Sequence, residues 1–298
     1  MSFCSELKTE LSTIRPSNCC KTSLAYGFLL FSRSFSIKKI SMQTENEKTA
    51  RLYASLIEDI YGVNVKLSEA SGNKKYHTAC VQDESDRLRV LASVDFGVYE
   101  GKINKEAFRR DCCAAAFIRG AFLACGHISD PDVSYRVDFP VKELGLAEEF
   151  KALLAEHYIT ANISTRGKGY VVYIKRSEMI TNLLTVMGAS VRSLELIETT
   201  IIKSVKNNMN RARNCDSANI SKTVEASIKQ RKAIEYLKKR GLLGSLSQEL
   251  QYAAKLRLDN PDMTLKELCK ISSQPITASG LNHRFRKIIE VYERYIKK

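Results

Sequence analysis

The feature that most constrains this chain is a repeat. Laid against itself at an offset of 93 residues, the sequence aligns Cys19-Cys20-x-x-x-Leu24-x-x-Gly27-x-x-Leu30 with Cys112-Cys113-x-x-x-Phe117-x-x-Gly120-x-x-Leu123. The segments after the two copies also match in kind. After the first come an extended run (35–42), a helical stretch (47–61), two β-like runs (63–69 and 75–81) and a helical stretch (84–93). After the second come an extended run (135–139), a helix (146–157), two β-like runs (159–165 and 170–175) and a helix (177–188). The turn Arg166-Gly167-Lys168-Gly169 suits a hairpin, because glycine accepts positive φ. The expected fold class is α+β: two αββαββα units, about 15–95 and 108–190, within a first domain spanning 1–200.

In both copies the lead helix is apolar on every side, so it must be buried. Each carries a glycine at the matched position, and the second adds Ala116-x-x-x-Gly120-x-x-x-Ala124. Small residues at four-residue spacing make a flat stripe that lets helices approach closely, so the two lead helices are expected to pack on each other.

The nine cysteines are odd in number and lack CxxC or Cys/His spacing. Adjacent pairs such as Cys19-Cys20 do not easily both face one metal, so the preferred reading is buried thiols in a reducing cytosol, with no metal and no cofactor. The longest apolar run, 24–31, is far below the roughly 20 residues of a bilayer span. Glu6 and Glu10 sit where a signal peptide would lead from a basic flank into an apolar core. The expectation is a soluble cytoplasmic protein without a membrane partner or a small-molecule substrate.

Charge separates the two ends of the chain. Of the net +14, residues 203–298 hold 21 Lys and Arg against 9 Asp and Glu, leaving 26 against 24 for the rest. A one-sided excess is what a polyanion-binding surface requires. Residues 201–243 read as a basic helical linker, rich in Asn, Lys and Arg. The last segment, 244–298, divides into helices: an amphipathic one over 248–259 stopped by Asn260-Pro261, then one opened by the capping box Thr264-x-x-Glu267. After the break Ser272-Ser273-Gln274-Pro275, a final helix capped by Thr277 buries Leu281, Phe285, Ile288 and Tyr292. Ser279, Asn282, His283 and Arg286 lie opposite that stripe, with Arg284 and Lys287 at its margins. A short capped helix, a turn and a second helix with a basic outer face is the helix-turn-helix arrangement, whose second helix enters the major groove of double-stranded DNA. Donor chemistry assigns base reading to Ser279, Asn282, His283 and Arg286, with Arg286 suited to guanine and Asn282 to adenine. Lys266, Lys270, Arg284, Lys287, Arg211 and Lys222 suit phosphate oxygens.

Two resemblances rest on these residues. Phe117-Ile118-Arg119-Gly120-Ala121-Phe122-Leu123-Ala124-Cys125-Gly126 resembles the LAGLIDADG signature of homing endonucleases, whose paired helices each end in a metal-binding acid over a saddle-shaped sheet. Ser32 and Cys125 stand at those acid positions, and neither is a hard oxygen anion, so the resemblance implies a saddle with degenerate nuclease positions and no catalytic residue. Asp130 and Asp132 lie beyond the helix without a counterpart in the first copy. Across almost the whole length the chain resembles the WhiA family: Ser2-Phe3-Cys4-Ser5-Glu6, the two Cys-Cys helices, the linker stretch Asn210-Arg211-x-x-Asn214-Cys215-Asp216, and Ser279-Gly280-Leu281-Asn282-His283-Arg284-Phe285-Arg286. That family implies a nucleoid-associated transcriptional regulator tied to cell division, chromosome segregation or sporulation, and not an enzyme. The competing readings are a metal-dependent LAGLIDADG nuclease or RNA-processing factor, and an N-terminal domain that docks another regulatory protein.

Overall fold

The computed structural model describes residues 2–71, 75–99 and 101–296, which form two compact units divided between Lys203 and Ser204. No helix among the described residues is long and apolar enough to cross a membrane.

The first unit opens with α1 (Phe3–Thr13), whose Ser2 side chain accepts a hydrogen bond from the Ser5 N–H and whose Phe3, Leu7 and Leu11 are buried. Then come α2 (Asn18–Leu30), β1 (Ser34–Ser36), β2 (Lys39–Thr44), α3 (Glu47–Tyr61), β3 (Val65–Ser71), β4 (Lys75–Val81) and α4 (Glu84–Ser93). The same order recurs in α5 (Asp111–Cys125), β5 (His127–Ile128), β6 (Val137–Val141), α6 (Leu144–Glu156), β7 (Asn162–Arg166), β8 (Gly169–Ile174) and α7 (Ser177–Met187). Each repeat builds one four-stranded antiparallel sheet, ordered β1-β2-β4-β3 and β5-β6-β8-β7. Strands alternate sides, so Ile40, Met42, Ala79 and Val81 in one sheet, and Val137, Phe139, Val172 and Ile174 in the other, face one buried core. The hairpin between β7 and β8 turns as the sequence predicts, with Gly167 at φ 61° and Arg166 paired to Gly169.

The two lead helices do pack on each other, and at backbone distance. A Cβ added at Gly27 would lie 2.2 Å from the Phe117 carbonyl oxygen, and one at Gly120 would lie 2.3 Å from that of Leu24. Only glycine permits this approach. Around the contact, Phe117 packs against Tyr26, Phe31 and Phe108, and Phe150 bridges Phe31 to Phe139.

This packing gives the cysteines an arrangement that adjacency in sequence did not suggest. Consecutive residues on one helix diverge, but the N-termini of α2 and α5 meet, so Cys19, Cys20, Cys112 and Cys113 converge with their Sγ atoms all within 4.8 Å of one another. The opposing partner lies 93 residues away in sequence, where no local spacing rule would find it.

Glu6 and Glu10 have a structural role that sequence alone did not suggest. A long helix, α8 (Ser190–Lys239), begins where the Glu10 carboxylate accepts hydrogen bonds from the Val191 and Arg192 N–H groups at 2.8 and 3.1 Å. Arg192 also donates to Glu6 at 2.8 Å. A carboxylate at a helix N-terminus satisfies otherwise orphaned donors.

The second unit comprises the later turns of α8, then α9 (Gln248–Asp259), α10 (Leu265–Ile271) and α11 (Ala278–Ile296). Its core is Ala233, Ile234 and Leu237 of α8, Ala253 and Ala254 of α9, Leu268 of α10, and Leu281, Phe285 and Ile288 of α11. The stripe predicted for the last helix is therefore the buried one, with Tyr292 half-buried at its end.

The helix contact sets a first prediction. Gly120→Ala forces a methyl group into the Leu24 backbone and is expected to destabilise the first unit by about 1–3 kcal/mol in urea unfolding. Gly97→Ala, where an added Cβ meets nothing within 4 Å, is the control and should change stability by less than about 0.5 kcal/mol. A Gly120→Ala chain as stable as the control would contradict the close approach.

Candidate nucleic-acid interface

Two sites bear on function, one in each unit. In the second, α10 and α11 are set at their turn by local hydrogen bonding. Thr264 accepts from the Glu267 N–H while the Glu267 carboxylate accepts from the Thr264 N–H at 2.7 Å, so the predicted capping box is present. Those bonds, from the Thr264 backbone first and its side chain second, hold the Glu267 carboxyl below the usual range. At α11 the Thr277 hydroxyl accepts from the Gly280 N–H at 3.1 Å, the cap expected there. The turn between the helices is held by Tyr252 of α9, whose hydroxyl accepts from the Ser273 N–H at 2.9 Å and lies 3.0 Å from the Ser272 and Ser273 hydroxyls.

Sequence reasoning missed the residue that ties these helices together. Arg257 is almost wholly buried, at 2% exposure, although it is an arginine. Its Nε donates to the Gln230 Oε1 of α8 at 3.0 Å, its Nη1 donates to the carbonyls of Met263 and Asn260, and its guanidinium lies 5.3 Å from the centre of the Phe285 ring of α11. One side chain thus touches α8, the approach to α10, and α11. Desolvation, reinforced by nearby Arg231, pulls its pKa below the ordinary arginine value. The signal was available: Leu250, Ala253, Ala254 and Arg257 share one helical face, which puts a cation in an apolar stripe.

Of the residues assigned to base reading, Ser279, His283 and Arg286 are exposed and Asn282 is half-buried. Lys266, Lys270 and Lys287 are exposed, as are Arg211 and Lys222 on α8. Arg284 is placed differently from the others. It turns towards α9, where its Nη2 lies 3.3 Å from a Glu249 carboxylate oxygen, and its side chain is only 19% exposed. It is a tie between helices and not an outward cation, because it flanks the buried Leu281–Phe285 stripe closely enough to be covered.

In the first unit, Ser32 and Cys125 come together at the C-terminal ends of α2 and α5. Both line a cleft of about 640 Å³ whose polar lining includes Arg33, Lys142, Arg166 and Glu143. The Ser32 hydroxyl donates to the Leu29 carbonyl at 2.9 Å and is 3.3 Å from that of Ser34. Burial pushes the Cys125 thiol up to about 12, so it stays protonated at neutral pH. Asp130 accepts from the Asp132 N–H within its own turn at 2.9 Å. Arg33, Lys142 and Arg166 were not anticipated as neighbours, since they come from three elements far apart in sequence.

Comparison with known proteins agrees with this architecture. Residues 114–206 match the family model described as the WhiA LAGLIDADG-like domain, and residues 209–292 match the WhiA C-terminal HTH domain. The chain is 32% identical over 309 residues to the probable cell division protein WhiA of Bacillus subtilis, covering 99% of this chain and 97% of that one. It is 34% identical over 309 residues to the protein of that name from Ruminiclostridium cellulolyticum, covering 100% and 99%. The chain belongs to the WhiA family. The fold agrees too: the crystal structure of full-length WhiA from Thermatoga maritima superposes with a TM-score of 0.59 at 21% identity, over 99% of each chain. The C-terminal unit of this WhiA chain is accordingly a helix-turn-helix domain, and its N-terminal unit a LAGLIDADG-like one.

The positions of Arg284 and Lys287 separate folding from binding. Arg284→Ala should lower the melting temperature, because it removes a half-buried ion pair and uncovers the α9–α11 contact. Lys287→Ala should leave melting unchanged and reduce the slope of log affinity for DNA against log salt by about one. Arg257→Met should destabilise the second unit by about 2–4 kcal/mol, since Gln230 and two carbonyls lose their donor in a buried site. Calorimetry and a salt titration check all three.

Proposed function

We propose that this WhiA protein is a sequence-specific double-stranded-DNA-binding regulator of transcription that uses α11 as its reader and has no nuclease activity. The observation that carries the reading is the outward face of the helix-turn-helix: Ser279, His283 and Arg286 exposed beside Asn282, flanked by the exposed Lys266, Lys270 and Lys287. Arginine and asparagine present the donor pairs that guanine and adenine edges accept in the major groove, while lysines neutralise phosphates. Arg211 and Lys222 extend the phosphate contacts along α8. Arg284 positions α11 through Glu249.

The absence of carboxylates at positions 32 and 125 supports a non-enzymatic role, because a hard divalent cation needs oxygen anions to hold it. The near-neutral N-terminal unit suits docking of another regulatory protein better than strong phosphate binding. The relatives are named as probable cell division proteins. By that likeness the regulated process is cell division, and the family resemblance read in the sequence extends it to chromosome segregation or sporulation, with action at the cytoplasmic nucleoid.

The test is a salt series of binding to genomic fragments with Mg²⁺ present, comparing the full chain with Asn282→Ala/Arg286→Ala. Loss of each bidentate base contact is expected to cost about 1–3 kcal/mol of discrimination. The double variant should therefore bind all fragments alike and weakly, with the DNA uncut. DNA cleavage by the wild-type chain, or sequence preference retained by the double variant, would overturn the reading.

A further inference from the structure

The four thiols at the N-terminal ends of α2 and α5 take no part in DNA reading or in the cleft at the opposite end of those helices. Cys19 and Cys20 occupy the first turn of α2, and Cys112 and Cys113 the first turn of α5. All four Sγ atoms lie within 4.8 Å of one another, and two of the separations, Cys19–Cys20 and Cys19–Cys112, are 3.8 Å. Four sulfurs bound at about 2.3 Å around one tetrahedral zinc stand about 3.8 Å apart. The group is also aimed by symmetry. The buried Cys20 thiol points across to the Cys112 carbonyl at 3.3 Å, and the buried Cys113 thiol to the Cys19 carbonyl at 3.2 Å. Each repeat contributes one sulfur beneath the surface and one nearer to it.

We infer that Cys19, Cys20, Cys112 and Cys113 form a closed tetrathiolate site for one zinc ion, which clasps the two repeats at the head of their paired helices. Four protein ligands leave no open coordination position, so the ion is structural and not catalytic. A zinc tetrathiolate carries two net negative charges. Two helix N-termini directed at it supply partial positive charge and stabilise thiolate over thiol. The Ser17 hydroxyl, 3.3 Å from the Cys19 sulfur, is placed to donate to it as an outer-shell partner. Zinc suits the site better than an iron–sulfur cubane, in which each cysteine binds a separate iron and the sulfurs must stand further apart. A disulfide would join only two of the four and would need its sulfurs at about 2.05 Å.

Metal binding here is independent of the DNA-reading proposal, and its test reads the metal directly. The full chain, untagged and purified under reductant, is assayed for zinc by mass spectrometry alongside Cys19→Ser/Cys112→Ser and, as a control, Cys215→Ser, an exposed cysteine elsewhere. One zinc per chain is expected in the wild type and the control, and a loss of at least about tenfold in the double variant, since two of four ligands are gone. Cobalt(II) added to the metal-free wild type should give the intense visible bands of tetrahedral thiolate coordination. Zinc-edge X-ray absorption on the wild type should show four sulfurs at about 2.3 Å, a reading that does not depend on how well the double variant folds. Zinc absent from the wild type with no uptake of zinc or cobalt, equal zinc in the double variant, iron with acid-labile sulfide in its place, or a Cys19–Cys112 disulfide in the freshly isolated chain would each overturn the assignment.

Discussion

The N-terminal unit depends on one contact, in which the backbones of α2 and α5 meet at Gly27 and Gly120. Hydrophobic burial alone would let two apolar helices pack at many angles and distances. Backbone contact admits very few, because any larger residue at either glycine collides with a carbonyl oxygen that cannot move without breaking its own helix. Since the helices are equivalent members of a repeat, the contact fixes both halves together. It brings both sheets onto one core, and gathers both N-termini at one end and both C-termini at the other.

The two ends differ in chemistry for that reason. At the C-terminal end, dipoles favour cations, and acids would be required to turn the position into a metal site. The chain has a serine engaged with the Leu29 carbonyl and a thiol that burial keeps protonated, with arginines and a lysine lining the space between. At the N-terminal end the same dipoles favour anions, and four ionisable thiols stand there. Neither end's chemistry is needed to keep the helices together, because the glycine contact is what holds the pair.

Much of this was legible in the sequence, for reasons that differ from element to element. The offset of 93 exposed the duplication, since matched cysteines and glycines are positional and survive divergence of the residues between them. The hairpin at Gly167 and the capping box at Thr264 are local signals, with all their partners within three residues. The convergence of four cysteines was not legible, and the adjacency rule argued against it, because each pair finds its complement only after the two repeats have folded together. Arg257 and Arg284 show the same limit within the helix-turn-helix. Periodicity placed Arg284 at the margin of the buried stripe, but which neighbour covers that margin depends on α9 carrying Glu249 there. For Arg257 the face was readable while its acceptors, Gln230 and the carbonyls before α10, were not.

Charge in the C-terminal unit can be sorted by what each cation touches. Arg257 and Arg284 are held by protein acceptors, and Lys229 is paired with Glu293 at 3.3 Å, so these cations serve the fold. Lys266, Lys270, Arg286 and Lys287 are all exposed to solvent on α10 and α11, the last two helices of the helix-turn-helix domain. Like charges held close together oppose the compact state, and that repulsion is relieved when a polyanion lies against them. The helix-turn-helix thus divides its cations by burial: Arg257 and Arg284 are covered and engaged in holding the helices in place, while Lys266, Lys270, Arg286 and Lys287 keep their charge in solvent.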